Sequence, residues 1–175
     1  MHTADRRQAI LEKLAASPQP LSASALAGQL GVSRQIVVGD VALLRAAGAQ
    51  IDATPRGYLL RREAAPGYTG LLACAHSTPQ QLLQELYTVV DLGGTVVDVI
   101  VENALYGELR GNLNVASRYD ADAFLRQAAA APDALLSRLT GGVHLHTIRC
   151  PDAEAFERIR DALAAAGLLY QKEDG

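Results

Sequence analysis

The stretch 21–48, LSASALAGQLGVSRQIVVGDVALLRAAG, constrains the fold most, because two short helical patterns meet there across three residues. Ser22 or Ser24 caps the first, with Ala25, Leu26 and Leu30 turned inward. Gly31 stops it, since a helix end favours a residue free to take positive φ. Ser33 caps the next helix, whose Val37, Val41 and Leu44 recur at i, i+4, i+7 before Gly48 closes it. The Gly31-Val32-Ser33 turn fixes the angle between the two helices, and Val32 plugs their joint. Upstream, residues 6–15 place Ile10, Leu11 and Leu14 on one stripe that ends at Ser17, Pro18 and Pro20. Downstream, residues 49–62 read as two strands around Thr54-Pro55-Arg56-Gly57. Helix, helix, short turn, helix, hairpin is the order of a winged helix-turn-helix, predicted over residues 1–62.

In such a module the third helix enters the DNA major groove by its N-terminal end. Ser33, Arg34 and Gln35 stand there. Arg forks onto guanine, Gln onto adenine, and a serine hydroxyl onto phosphate. Arg56 at the wing tip is placed for a phosphate or the minor groove, and Arg45, Arg61 and Arg62 add basic surface. Gly39 keeps the exposed helix face slim, although glycine there is less stable than alanine by roughly 1 kcal/mol. Charge agrees: residues 1–62 hold eight Lys+Arg against four Asp+Glu, net +4, while the remainder is net −7. A winged helix used for protein contact is the alternative.

Residues 63–70, EAAPGYTG, read as a Pro/Gly linker to a second domain over 71–175. An apolar strand at 71–75 precedes Thr78-Pro79-Gln80-Gln81, a strong helix start with Thr as cap, Pro first and Gln third. Leu82, Leu83, Leu86, Val89 and Val90 bury that helix. Strands follow at 95–101, 108–116 and 143–149, with a helix opening at Asp120 (Phe124, Leu125, Ala128) and another over 152–166 (Phe156, Ile159, Leu163). Leu168–Tyr170 is placed as an edge strand. Short links between these elements predict an α/β sandwich with a mostly antiparallel sheet, so the chain is α+β.

Three of the four histidines lie in this half; His2 is taken as part of a disordered terminus. His144 and His146 flank Leu145 in a strand, so both imidazoles leave one face. His76 follows another strand, and Glu85 sits on the next helix at the border of its apolar stripe. His76, Glu85, His144 and His146 together offer nitrogen and oxygen donors that suit Zn²⁺, Ni²⁺, Co²⁺ or Fe²⁺ rather than Ca²⁺ or Mg²⁺. An isolated His-x-His is more often ordinary surface or core histidine than a ligand pair. Cys74 shares the strand face of His76, as ligand or as packing. Gly141-Gly142 either admits a ligand to the backbone or makes a simple turn.

The two cysteines form no Cys-x-x-Cys, no apolar run reaches membrane-spanning length, and Met1–Arg7 lacks the apolar centre of a signal peptide. A cytoplasmic protein is expected.

RRQAILEKL, GVSRQIVVGDVALLRAAG and TPRGYLL resemble the helix-turn-helix of the niacin-responsive repressors. CAHS, QELYTVVDLGGTVVDVIVENALYGEL and LSRLTGGVHLHTI resemble the three-histidine (3H) domain that follows it in that family. The resemblance spans roughly residues 6–170. It implies a homodimeric repressor of NAD-biosynthesis or niacin-uptake genes that binds operator DNA, with nicotinic acid as co-repressor. It also implies a divalent transition metal, nickel or zinc, whose ligands match His76, Glu85, His144 and His146. The family pattern has His-Pro shortly before the Tyr-Gly pair, where this chain has Asn103 and Ala104. Asn103, Tyr106, Arg118 and Arg149 are the expected effector contacts. Two other classes remain: a repressor sensing the metal or another small molecule, and a metal-dependent hydrolase. The hydrolase finds no spare acid or base once the four ligands are used.

Overall fold

The computed structural model describes residues 3–61 and 67–171; His2 and Arg62 lie outside them. The chain divides into two compact units, residues 1–63 and 64–175.

The first unit is the expected winged helix-turn-helix. Helix α1 spans Thr3–Ala16, α2 Ala23–Leu30 and α3 Arg34–Ala46; strands β1, Ile51–Thr54, and β2, Gly57–Leu60, form the antiparallel wing. Ser22 is the cap of α2, accepting from the Ala25 N–H, and Ser33 caps α3 through the Ile36 N–H. The buried stripe of α2 is Ala23, Leu26 and Ala27, and Ala25 faces out, one position from its expected place. The i, i+3, i+4 row begins at the first helical residue rather than after it. Ile10, Leu14, Val37, Val41, Leu44 and Ile51 complete the core. Asp40, in the middle of α3, is also buried, because Arg6 of α1 grips its carboxylate at 2.5 and 3.2 Å. That pair ties the third helix to the first.

The second unit is one four-stranded sheet, ordered β3-β6-β4-β5, with every neighbour antiparallel. Its strands are β3, Tyr68–Ala75; β4, Thr95–Asn103; β5, Gly107–Val115; and β6, Val143–Cys150. Helices α4, Pro79–Asp91; α5, Arg118–Ala130; and α6, Ala153–Ala165, pack their apolar sides onto it. Leu82, Leu86, Val89, Phe156, Ile159 and Leu163 meet Leu72, Val96, Val115 and Ile148 in this core. The chain is thus α+β, helical first and then mixed.

Two boundaries move, and two short segments are new. Strand β3 starts at Tyr68, inside the expected linker, and pairs Tyr68–Gly70 with Cys150–Ile148. Gly70 is there for space: a Cβ would lie 2.5 Å from the Phe156 ring. Helix α5 opens at Arg118 with Ser117 as cap, and Asp120 is instead buried, accepting from the Ala116 N–H. Between α5 and β6 the chain makes two short 3₁₀ segments, Pro132–Ala134 and Leu136–Thr140, that carry no sequence period. The segment after α6 joins the sheet edge through a Cys74–Leu169 bridge, as expected of Leu168–Tyr170.

Candidate metal centre

Sheet register builds the centre. Residue His144 pairs with Cys74, and His146 pairs with Leu72 on one side and Val99 on the other. Both imidazoles leave the helix-covered face. His76 follows the end of β3, and Glu85 comes down from α4 between Leu82, Leu86 and Val89. Glu85 lies inside the apolar stripe rather than at its border, with no exposure at all. A lone carboxylate is not stable there. This one has company: Nε2 of His76, His144 and His146 lies 3.3, 3.4 and 2.8 Å from its Oε1. The three rings stack edge to face, with centroids 4.7 and 4.6 Å apart.

The opposite ring nitrogens fix the chemistry. Nδ1 of His144 meets the Gly142 carbonyl at 2.8 Å, and Nδ1 of His146 meets the Asp98 carbonyl at 2.6 Å. A carbonyl oxygen only accepts, so both Nδ1 atoms carry the proton and donate. Nε2 of each of these rings is left facing the carboxylate, a donor when the ring carries a second proton and a free lone pair when it does not. Such backbone-oriented imidazoles are the usual outer support of metal ligands. The Asp98 carbonyl is in place because β4 bulges between Val96 and Asp98, and the Asp98 side chain is held separately by Arg110 and the Thr147 N–H. Gly142 has φ +99°, and a Cβ on it would lie 2.3 Å from the His76 carbonyl oxygen. The close approach that this glycine allows is therefore between two parts of the chain itself.

Electrostatics leave room for a cation. Burial disfavours the Glu85 charge, yet the positive charge of His146 and hydrogen bonds from His144 and His146 hold its carboxyl well below the usual range. Burial likewise disfavours charge on His146, and Glu85 outweighs it, raising its pKa. Nε2 of His76 and Oε2 of Glu85 are buried with no hydrogen-bond partner. Three neutral imidazoles and a carboxylate fit the donor set of Zn²⁺ or Ni²⁺. Cys74 Sγ also lies within 4.8 Å of donor atoms of Glu85 and His144. Burial, and then the Glu85 charge, push its thiol up, so it is protonated and packs behind the donors.

Beside His76 opens a cavity of about 780 Å³. The start of α4, Leu82, Leu125, Leu135 and the 3₁₀ segments wall it, with Arg126 and Arg138 among the lining side chains. Neither arginine is among the residues expected from the sequence, and the 3₁₀ path that carries Arg138 there has no periodic signal. Asn103, Tyr106, Arg118 and Arg149, the residues expected to touch an effector, do not line this cavity. Asn103 closes the β4–β5 turn, its side-chain oxygen accepting from Leu105 and Tyr106 N–H at 3.0 Å. Tyr106 is exposed on that turn. Arg118 pairs with Asp91 at 2.8 Å and covers the Tyr87 ring. Arg149 is exposed on β6. In the first unit, Ser33, Arg34 and Gln35 stand exposed at the start of α3, and Arg56 sits at the wing turn with Nη2 3.3 Å from Gln19 Oε1.

Among the described residues no helix is long and apolar enough to cross a membrane. Residues 6–59 match an HTH domain family and residues 69–172 match the 3H domain family. The probable transcription repressor NiaR of Thermotoga maritima is 43% identical over 168 residues, 96% of this chain and 95% of that protein. The transcription repressor NadR of Bacillus subtilis is 38% identical over 171 residues, 96% of this chain and 94% of its own. These relatives are repressors, which sets aside the hydrolase: the protein is not an enzyme. The chain belongs to the NiaR-type family of transcription repressors, an HTH domain followed by a 3H domain.

Proposed function

We propose that this chain is a cytoplasmic, homodimeric repressor of NAD-biosynthesis or niacin-uptake genes, with nicotinic acid as co-repressor. Its 3H domain holds a divalent transition metal, nickel or zinc, on His76, Glu85, His144 and His146. The observation that carries the reading is the convergence of three imidazole Nε2 atoms on one buried carboxylate while two of the opposite nitrogens are tied to backbone. A bound metal supplies a Lewis-acidic contact for a pyridine nitrogen or a carboxylate. The cavity next to His76 supplies apolar walls for a ring, and Arg126 or Arg138 a partner for its carboxylate.

Operator binding runs through Ser33, Arg34, Gln35 and Arg56, two copies meeting successive major grooves about 34 Å apart. Nicotinate strengthens repression only by preferring the dimer geometry that fits this spacing; equal affinity for both geometries shifts nothing. The test is operator affinity, with metal present, as nicotinate is raised. A dissociation constant that falls supports the reading, and one unmoved at saturating nicotinate defeats it. An effect of metal alone, with no further change on nicotinate, assigns metal sensing instead.

A further inference from the structure

At 3.6 residues per turn, the exposed side of α3 divides into three strips. Gln35, Gly39, Ala42 and Ala46 run along its centre, Arg34 and Arg45 along one flank, and Ile36 and Leu43 along the other. Ile36 is 42% exposed and Leu43 53%, both large apolar side chains turned to solvent. The one acid of the helix, Asp40, is withdrawn into its pair with Arg6. Between Gln35 and Arg45, no exposed side chain of α3 makes a hydrogen bond to anything, because none carries a polar atom. Among the described residues Gly39 makes no close approach: a Cβ there meets no atom within 4 Å, and glycine weakens a helix relative to alanine.

An apolar side chain beside two base-reading side chains, on a helix with a bare centre and basic flank, matches one surface feature of duplex DNA. The thymine C5-methyl is the apolar group displayed in the major groove. We propose that Ile36 reads a thymine methyl in the operator half-site, and that Gly39 and Ala42 let the helix axis come close enough for it to do so. Arg34 and Gln35 supply the hydrogen-bonded readout next to it. The inference rests on α3 being the DNA-reading helix. A protein partner on this face is disfavoured by the bare central strip, which offers no anchoring side chain.

The test begins with duplexes selected from a random library by the full chain. Each thymine of the selected half-site is replaced in turn by deoxyuracil, which removes the methyl alone. One position is expected to weaken binding about fourfold, the worth of one buried methyl-sized group. Ile36→Ala abolishes that sensitivity, and its circular dichroism matches the parent because Ile36 is exposed. Gly39→Ala raises Tm while weakening operator binding. No uracil-sensitive position, or the same sensitivity in Ile36→Ala, overturns the proposal. Unchanged DNA binding with altered self-association in Ile36→Ala assigns the strip to a protein contact and overturns it too. Failure of the underlying reading looks different: Arg34→Ala and Gln35→Ala then bind the selected DNA as well as the parent.

Discussion

Replacing Glu85 by Gln keeps the shape of a fully buried side chain and removes its charge and one metal donor. A metal held 1,000-fold above its dissociation constant stabilises the folded state by about 4 kcal/mol. Losing even an outer-shell partner weakens metal sites by up to about 100-fold, and a direct carboxylate is worth no less. At the same metal concentration the remaining stabilisation is then about 1.4 kcal/mol, so the variant forfeits about 2.7 kcal/mol of the metal-dependent part. For a chain of this size that is a drop in the metal-induced Tm shift from roughly 8–16 °C to roughly 3–6 °C. The assay is thermal unfolding of parent and Glu85→Gln, each with chelator and with Ni²⁺ or Zn²⁺. Comparing shifts rather than midpoints separates metal affinity from any change in the metal-free fold. A full parental shift in Glu85→Gln removes the carboxylate from the ligand set. No shift in the parent with either ion refutes the metal centre.

Metal affinity falls on acidification. The metal needs neutral imidazole, and Glu85 raises the pKa of His146, so protons compete from higher pH than at an ordinary histidine; calorimetric titrations between pH 5 and 8 check it, and a flat profile contradicts it. Gly70→Ala drives a methyl into the Phe156 ring and costs about 1–3 kcal/mol, with partial recovery on adding Phe156→Leu; denaturant unfolding reads both. Arg6→Met leaves the buried Asp40 carboxylate without its partner, so Tm and operator affinity both fall, and adding Asp40→Asn restores much of the Tm. Parental stability in Arg6→Met alone speaks against the pair.

The first unit was legible because its signals are local. Ser22, Gly31 and Ser33 set the helix ends within a few residues of sequence, and the wing turn is marked by Pro55 and Gly57. What escaped depends on distant partners. Asp40 reads as a solvated helix charge until Arg6, 34 residues away, is beside it. The Pro/Gly signal over 63–70 pointed to a linker, yet Gly70 is small to admit a ring from α6. Strand alternation puts His144 and His146 on one face, as the structure has them, but the depth of Glu85 was not readable. Its burial needs three imidazoles from two other segments, which no periodicity reports. Of the cavity arginines Arg126 comes from α5 and Arg138 from a 3₁₀ turn, and Asn103, Arg118 and Arg149 stand in a local turn, an ion pair and an open strand.

Residue 142 shapes two corners of the histidine cluster at once. Its carbonyl orients one imidazole, and its missing side chain makes room for the backbone of another. An alanine there moves two donors together, so the pocket and the cage are adjusted by a single hinge in the main chain. Evolution can retune the walls of the cavity one side chain at a time, but this corner changes all at once or not at all.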